Sequence, residues 1–462
     1  MNKNLLSILT FVAVLLLAAC GPGRGAFSVD GTKPVSQENR IIYQLNVGAF
    51  TPEGTFKAAE GQLARLDTLG VDILWLMPIY PRGAMMHSPY ASMDFQQVNP
   101  AYGTVADLKA FVAAAHEYGM KVWLDWVPNH VAVENPWVTE HPEYFTKDSK
   151  GQMIHPHGWG DVYELNYQDE GLVNAMNTAL KFWIDEADVD GFRCDYVSSP
   201  TIPVSYWQDI IAQLKSKSGK TIEFLSETDI SDSYNQRIDS CGFDYDYAWD
   251  FQEDLARKFG AEGTSADSLL GIVDKFLTAS QQIKNRRMVY LTNHDQNYND
   301  GGHTLKDFYG DNRYALTVLQ FTLYGMPLIY QGQEIGDPDT LNYFTDAKVR
   351  WQQVDCKMQH LVRTLCALHH TQPSLAADAP APEYFPTDSP HVLAYQRGPV
   401  LVVLNLGTEE VEVKFAPQEP GTYTQWLDSR TIADGPAATD VSLDANAPIA
   451  LEAKGFAVYV KQ

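Results

Sequence analysis

Four short polar clusters interrupt the apolar runs of this 462-residue sequence. They read Asp125-Trp126-Val127-Pro128-Asn129-His130, Gly191-Phe192-Arg193-Cys194-Asp195, Ser226-Glu227 and Thr292-Asn293-His294-Asp295. Asp195, Glu227 and Asp295 thus come from three separate segments, with Arg or His nearby. A lone carboxylate in such a place is usually a salt bridge or a loop cap. Three converging on one cleft would repel each other and raise one another's pKa, as acid–base and nucleophilic chemistry require.

The elements that could bring them together alternate along the chain. Short apolar strands are expected at Ile41–Leu45, Val71–Met77, Lys121–Trp126, Gly191–Cys194, Glu223–Ser226, Phe243–Tyr247, Met288–Leu291 and Leu328–Gln331. Amphipathic helices are expected between and after them at Phe56–Leu69, Val105–Tyr118, Gly171–Glu186, Tyr206–Lys217, Ser265–Gln281, Tyr314–Tyr324 and Cys356–Thr371. The signals are clearest at Val105. Thr104 is placed to cap with Asp107 three residues on, Leu108, Val112 and Ala115 continue the stripe, and Gly119 stops it. Eight such units predict an α/β fold, a (β/α)8 TIM barrel over residues 40–372. A doubly wound sheet is the alternative, but no Gly-rich phosphate loop follows the first strand. Residues 130–166 show no clear period and read as a short excursion after the third strand. In such a barrel the C-terminal strand ends face the site, and the four clusters fall there.

After Gln372 the pattern changes. Residues 373–390 are rich in Pro and Ala and read as a linker. Residues 391–462 carry short alternating runs expected to form an antiparallel β-sandwich. The composition, 45% hydrophobic and 20% charged, supports a large core and excludes a disordered or disulfide-scaffold chain. The formal net charge of −24 repels phosphate backbones, so no nucleic acid partner is expected.

The clusters resemble the four sequence regions of the α-amylase family, glycoside hydrolase family 13. Asp125 with Asn129-His130 matches the first region and Gly191-Phe192-Arg193-x-Asp195 the second. Glu227 matches the third and Asn293-His294-Asp295 the fourth. Ser88-Pro89-Tyr90-Ala91-Ser92-Met93-Asp94-Phe95 is similar to the family's second-strand loop, and Gly325-Met326-Pro327-Leu328-Ile329-Tyr330 to its eighth strand. The resemblance runs from about Ile41 to Gly336, with all four regions in order.

That resemblance implies retaining hydrolysis of α-1,4-glucosidic bonds in starch and malto-oligosaccharides. Asp195 would be the nucleophile, Glu227 the acid and base, and Asp295 the stabiliser of the oxocarbenium-like transition state. Arg193, two residues before Asp195 and so on the same strand face, would hold that carboxylate ionised. Asp125, His130 and His294 would contact the sugar, with Tyr90 as its stacking floor. The same residues would serve an α-glucan transglycosylase of the 4-α-glucanotransferase type. A non-catalytic glucan-binding lipoprotein is the remaining alternative. The chemistry requires no cofactor. Asn129 matches a residue on the family's calcium side. However, Asp195-Tyr196-Val197-Ser198 lacks the Lys-His pair common after the nucleophile, and no full set of oxygen ligands can be named, which leaves a structural calcium open. Trp137, Trp159 and Tyr163 in the excursion either line outer sugar subsites or pack the excursion on the barrel, the second being favoured.

The N-terminus carries a different signal. Leu5 to Ala19 is an uncharged run of 15 residues, shorter than the roughly 20 needed to span a bilayer, so residues 1–19 read as a signal peptide. Leu17-Ala18-Ala19-Cys20 resembles the bacterial lipoprotein box, which implies lipidation of Cys20. Residues 20–39 would then be the lipidated start and its tether, holding the protein to a membrane of the bacterial cell envelope, the outer membrane or cell surface before the inner membrane. Cys194, Cys241, Cys356 and Cys366 are expected as free, mostly buried thiols. Cys356 and Cys366 lie ten residues apart on one expected helix, ~15 Å, too far to bridge.

Overall fold

The computed structural model describes residues 29–217, 219–228, 239–259, 265–282, 286–299, 302–414, 420–443 and 448–462. The signal segment, Cys20 and residues 21–28 of the expected tether lie outside the described residues, whereas residues 29–39 are not a free tether: Val29 and Asn39 are buried, and Asn39 Nδ2 donates to the carbonyls of His369 and Gln372. The eight expected strands are all present: β1 (Ile42–Leu45), β2 (Ile73–Leu76), β3 (Lys121–Trp126), β4 (Gly191–Cys194), β5 (Glu223–Ser226), β6 (Tyr245–Tyr247), β7 (Arg287–Val289) and β8 (Met326–Tyr330). Each pairs in parallel with its sequence neighbour, and β8 closes on β1 through Ile42 opposite Leu328. The result is a closed eight-stranded barrel.

Alternation along each strand divides the side chains between two environments. Ile42, Ile73, Trp75, Trp123, Leu225, Tyr245, Tyr247, Met288 and Leu328 fill the barrel interior. Leu74, Leu76, Val122, Leu124, Phe192, Phe224 and Val289 face outward under the helices, in the large core. Close approach at β4 depends on Gly191. A Cβ there would come within 2.7 Å of the Trp123 ring. The helix Val105–Glu117 starts with the anticipated capping box, Thr104 and Asp107 bonding reciprocally.

Several elements differ from expectation. The helix expected over Phe56–Leu69 is broken into Phe56–Glu60 and Leu63–Leu69, because the chain turns at Gly61-Gln62 while Leu63, Leu66 and Leu69 keep a common buried face. A helix at Trp249–Phe259 was not anticipated, since its apolar positions are sparse among charges. The excursion contains an antiparallel pair, His130–Ala132 with Val162–Glu164.

Residues 373–390 are not a free linker. Leu375, Ala376 and Ala377 are buried, and Glu383–Phe385 pairs with Val392–Arg397 as the edge of a six-stranded antiparallel sheet. A two-stranded ribbon, Val411–Val413 with Ile449–Leu451, packs on that sheet and completes a small sandwich. Buried Arg397 fastens it to the barrel by donating to the carbonyls of Leu323, Leu375 and Ala376. Cys194 and Cys366 are buried free thiols, as expected, and Cys241 is buried as well. Cys356 is instead disulfide-bonded. The spacing argument excluded only Cys366 as its partner. Among the described residues no helix is long and apolar enough to cross a membrane.

Candidate active site

The site is the top layer of the barrel interior. Trp123 and Asp125 on β3, Arg193 and Asp195 at β4, Leu225 and Glu227 at β5, and Tyr245 and Tyr247 on β6 share the inward parity of their strands. β3 and β5 therefore each deliver an apolar residue to the column and an acid to the mouth, whereas β4 delivers two charged residues, Arg193 and Asp195.

Arg193 organises that layer. Its side chain is fully buried. Nη1 donates to Asp125 Oδ1 and Asp195 Oδ1, both at 2.9 Å, and Nε donates to Tyr247 Oη at 2.9 Å. Nη2 lies 2.6 Å from Glu227 Oε1, a charge contact outside hydrogen-bonding alignment. One cation thus meets three carboxylates. Burial pushes all three carboxyls up, and Arg193 only partly opposes it. Glu227 is pushed up to about 7, because the Asp195 charge adds to burial, against about 6 for Asp125 and Asp195. Glu227 is therefore the group that keeps a proton near neutrality, and its neighbour Asp195 the one that gives it up.

A second chain of hydrogen bonds runs across the mouth. Gln44 Nε2 donates to His294 Nδ1 at 2.7 Å, leaving the proton on Nε2 for Tyr90 Oη at 2.6 Å. Tyr90 in turn donates to Asp125 Oδ2 at 3.1 Å, beside the Trp75 indole donating to the same oxygen. Burial and the Arg193 charge hold His294 neutral, well below its ordinary pKa. Tyr90 stacks on His294 with centroids 5.2 Å apart.

Asp295 follows a strand that ends earlier than expected. β7 stops at Val289, and Asn293 Oδ1 accepts from the amides of Asp295 and Gln296 to begin one turn of π-helix, Asp295–Asn299. Asp295 Oδ2 sits 3.4 Å from His294 Nε2. His130 is buried and neutral, its pKa pushed down to about 4 by burial, and it bonds the Tyr90 backbone carbonyl. Asp195, Glu227, Asp295, Tyr90, His130 and His294 all line one open cleft of about 820 Å³. Asp125 and Arg193 lie beneath its floor, fixing the groups above.

Asn129 donates to His130 Nδ1 at 3.1 Å, and its Oδ1 is buried without a hydrogen-bond partner. Among the described residues no group of three His, Cys, Asp or Glu side chains gathers to hold a metal. One amide oxygen falls short of the many-oxygen shell calcium takes, and no step below runs through that ion.

Trp159, for which packing was favoured, is 45% exposed and lines the cleft. Trp137 and Tyr163 do pack, against Phe95 and Tyr144 and against Phe145 and His155 respectively. Sequence reasoning missed Tyr247, Trp75 and Gln44, which orient the central groups. Their inward parity on strands was a usable signal. It also missed Trp249, Tyr343 and Phe344 on the cleft wall, where no local pattern pointed to them.

Comparison with known proteins agrees with this geometry. The alpha-amylase catalytic domain family matches residues 36–164 and 153–364. "Alpha-amylase MalA" of Haloarcula japonica is 29% identical over 84% of this chain, which spans 58% of that relative's length. "Malto-oligosyltrehalose trehalohydrolase" of Saccharolobus solfataricus is 28% identical over 69% of this chain and 60% of its own length. The structure of a maltogenic alpha-amylase, AmyB from Thermotoga neapolitana, superimposes with a TM-score of 0.77 at 26% identity, covering 92% of this chain and 99% of that one. With the barrel closed, the carboxylates gathered at its mouth and the family's catalytic domain matched over most of the chain, the protein belongs to the α-amylase family, glycoside hydrolase family 13.

Proposed function

We propose that the protein is a retaining glycoside hydrolase that cleaves α-1,4-glucosidic bonds in starch and malto-oligosaccharides. The observation that carries this reading is that Asp195 and Glu227 line one cleft and stand on a single guanidinium, Arg193 Nη1 at 2.9 Å from Asp195 Oδ1 and Nη2 at 2.6 Å from Glu227 Oε1, with Glu227 pushed up to about 7. Two carboxyls bound to one guanidinium are held close together, as the ~5 Å spacing of double displacement requires and the wider spacing of single displacement does not. Asp195 attacks the anomeric carbon while Glu227 protonates the departing glycosidic oxygen, giving a covalent glycosyl-enzyme. Glu227, now ionised, takes a proton from water as that water attacks, and the sugar leaves with its configuration retained. Arg193 keeps Asp195 anionic and Asp295 bonds sugar hydroxyls as positive charge develops on the ring.

Incubation with starch, pullulan and maltoheptaose tests the reading. New reducing ends released initially as the α-anomer support it, and no cleavage of any of the three refutes it. Transfer to a sugar hydroxyl is the second reading. Met86 and Trp159, 53% and 45% exposed on the cleft lip, offer an acceptor sugar apolar surface. Disproportionation of maltoheptaose without net reducing ends would favour it. We also place the protein on the bacterial cell envelope through a lipid on Cys20. Intact-mass analysis of the mature chain decides this, and an unmodified or disulfide-bonded Cys20 would refute it.

A further inference from the structure

Two non-glycine residues at the cleft rim hold left-handed backbone conformations, His157 in the excursion at φ 53° and Tyr196 directly after Asp195 at φ 42°. Such conformations persist only where the surroundings enforce them, and they gather at working sites. Here the two residues enforce each other. His157 Nε2 and Tyr196 Oη are 2.9 Å apart, the rings meet edge to face at 5.2 Å, and His157 packs on Trp159 at 4.8 Å. The twist at Tyr196 turns its amide toward the floor of the cleft, where N–H donates to Glu227 Oε2 at 2.7 Å.

We infer that Tyr196 is a positioning residue for Glu227 and that His157 is the latch that keeps its backbone in place. This rests on the reading of Glu227 as the acid. The latch lies on the acid's side of the cleft, where the departing sugar sits, so a sugar seated against Trp159 and His157 would press on the element that aims the proton. Around Glu227 stand Arg193 and Asp195 from the end of β4, Asp125 from β3, Tyr247 from β6 and Tyr290 past β7. Arg193 and the Tyr196 amide favour the ionised carboxyl, whereas the Asp195 and Asp125 charges favour the protonated one. Loss of the Tyr196 amide bond would therefore move the alkaline limb of the pH–rate profile upward.

The test separates positioning from structure by changing the leaving group. Maltose departing from maltoheptaose must be protonated, but fluoride departing from α-maltosyl fluoride need not be. Tyr196→Phe and His157→Ala should lower kcat/KM for maltoheptaose about tenfold, a fraction of what a general acid supplies. They should change kcat/KM for the fluoride less than twofold. Tyr196→Gly should retain more maltoheptaose activity than Tyr196→Ala, since glycine holds the left-handed conformation without a latch and keeps the amide. Parallel loss on both substrates, or equal Gly and Ala variants, would overturn the inference. Glu227→Gln is the control. If it leaves maltoheptaose cleavage intact the acid assignment falls, whereas if it abolishes cleavage and Tyr196→Phe does nothing, only the latch falls.

Discussion

Glu223 and Glu227 stand four residues apart on one face of β5, about 13 Å along the same strand. Glu223 is buried, Glu227 is half-buried at the cleft, and both meet an arginine, yet their protons behave oppositely. At the base of the barrel, burial pushes Glu223 up, but Arg40 bonds both of its oxygens at 2.7 and 3.1 Å and Lys121 adds a third contact at 3.0 Å. The net shift there is downward. At the mouth, burial again comes first, but one guanidinium is shared among Asp125, Asp195 and Glu227, and the net shift is upward. Two cations for one anion make a clasp. One cation for three anions makes a reactive site, held together by the fold around it.

The largest break in this contrast is Asp195→Asn. Turnover of maltoheptaose should fall by about 10⁴-fold or more with the melting temperature preserved, as reducing-end release and calorimetry would show. Near-normal turnover would mean that the wrong nucleophile has been named. Glu223→Gln should do the reverse. Leaving Arg40 buried against a neutral amide should cost about 3 kcal/mol of stability in denaturant melts while kcat stays within twofold.

The pH dependence sharpens the comparison. Glu227 has its folded pKa raised from 4.5 to about 7, so the stability it contributes is present below pH 4.5 and lost as pH rises through 7. Glu223 is depressed, so its contribution is present above the ordinary carboxyl value and lost as pH falls through the folded one. Glu227→Gln should therefore abolish hydrolysis yet raise stability by about 1 kcal/mol at pH 8, with little gain at pH 4. In the wild type, kcat/KM should decline above about pH 7 as Glu227 loses its proton. The smallest effect is expected on the cleft lip. Trp159→Ala should raise KM for maltoheptaose about threefold at constant kcat, the scale of one exposed stacking contact.

The contrast also separates what was legible along the chain from what was not. Alternation exposes which residues of β5 face inward, and composition marks its two ends as acidic. Neither says which end is matched with cations, because Arg40, Lys121 and Arg193 arrive from other segments. Arg193 does meet Asp195, but not Asp195 alone. Its contact with Glu227 crosses from β4 to β5, and its support by Tyr247 comes from β6. Trp159 and Trp137 looked alike within the excursion. Only their neighbours decided that one faces the cleft and the other packs. The stretch at 373–390 misled for a related reason. Pro and Ala disfavour regular structure locally, but Leu375 and the edge strand at Glu383–Phe385 are held by partners distant in sequence.

What the sequence determined by itself was local and periodic. The strand–helix rhythm, the capping box at Thr104 and the polar residues at strand ends all follow from interactions spanning a few residues. What the tertiary structure decided was stoichiometry and strain. It set how many cations meet how many carboxylates at each end of the barrel, and it holds His157 and Tyr196 in left-handed conformations that non-glycine residues rarely take. Those quantities depend on atoms brought together from many segments, and electrostatics in a buried site sums over all of them at once.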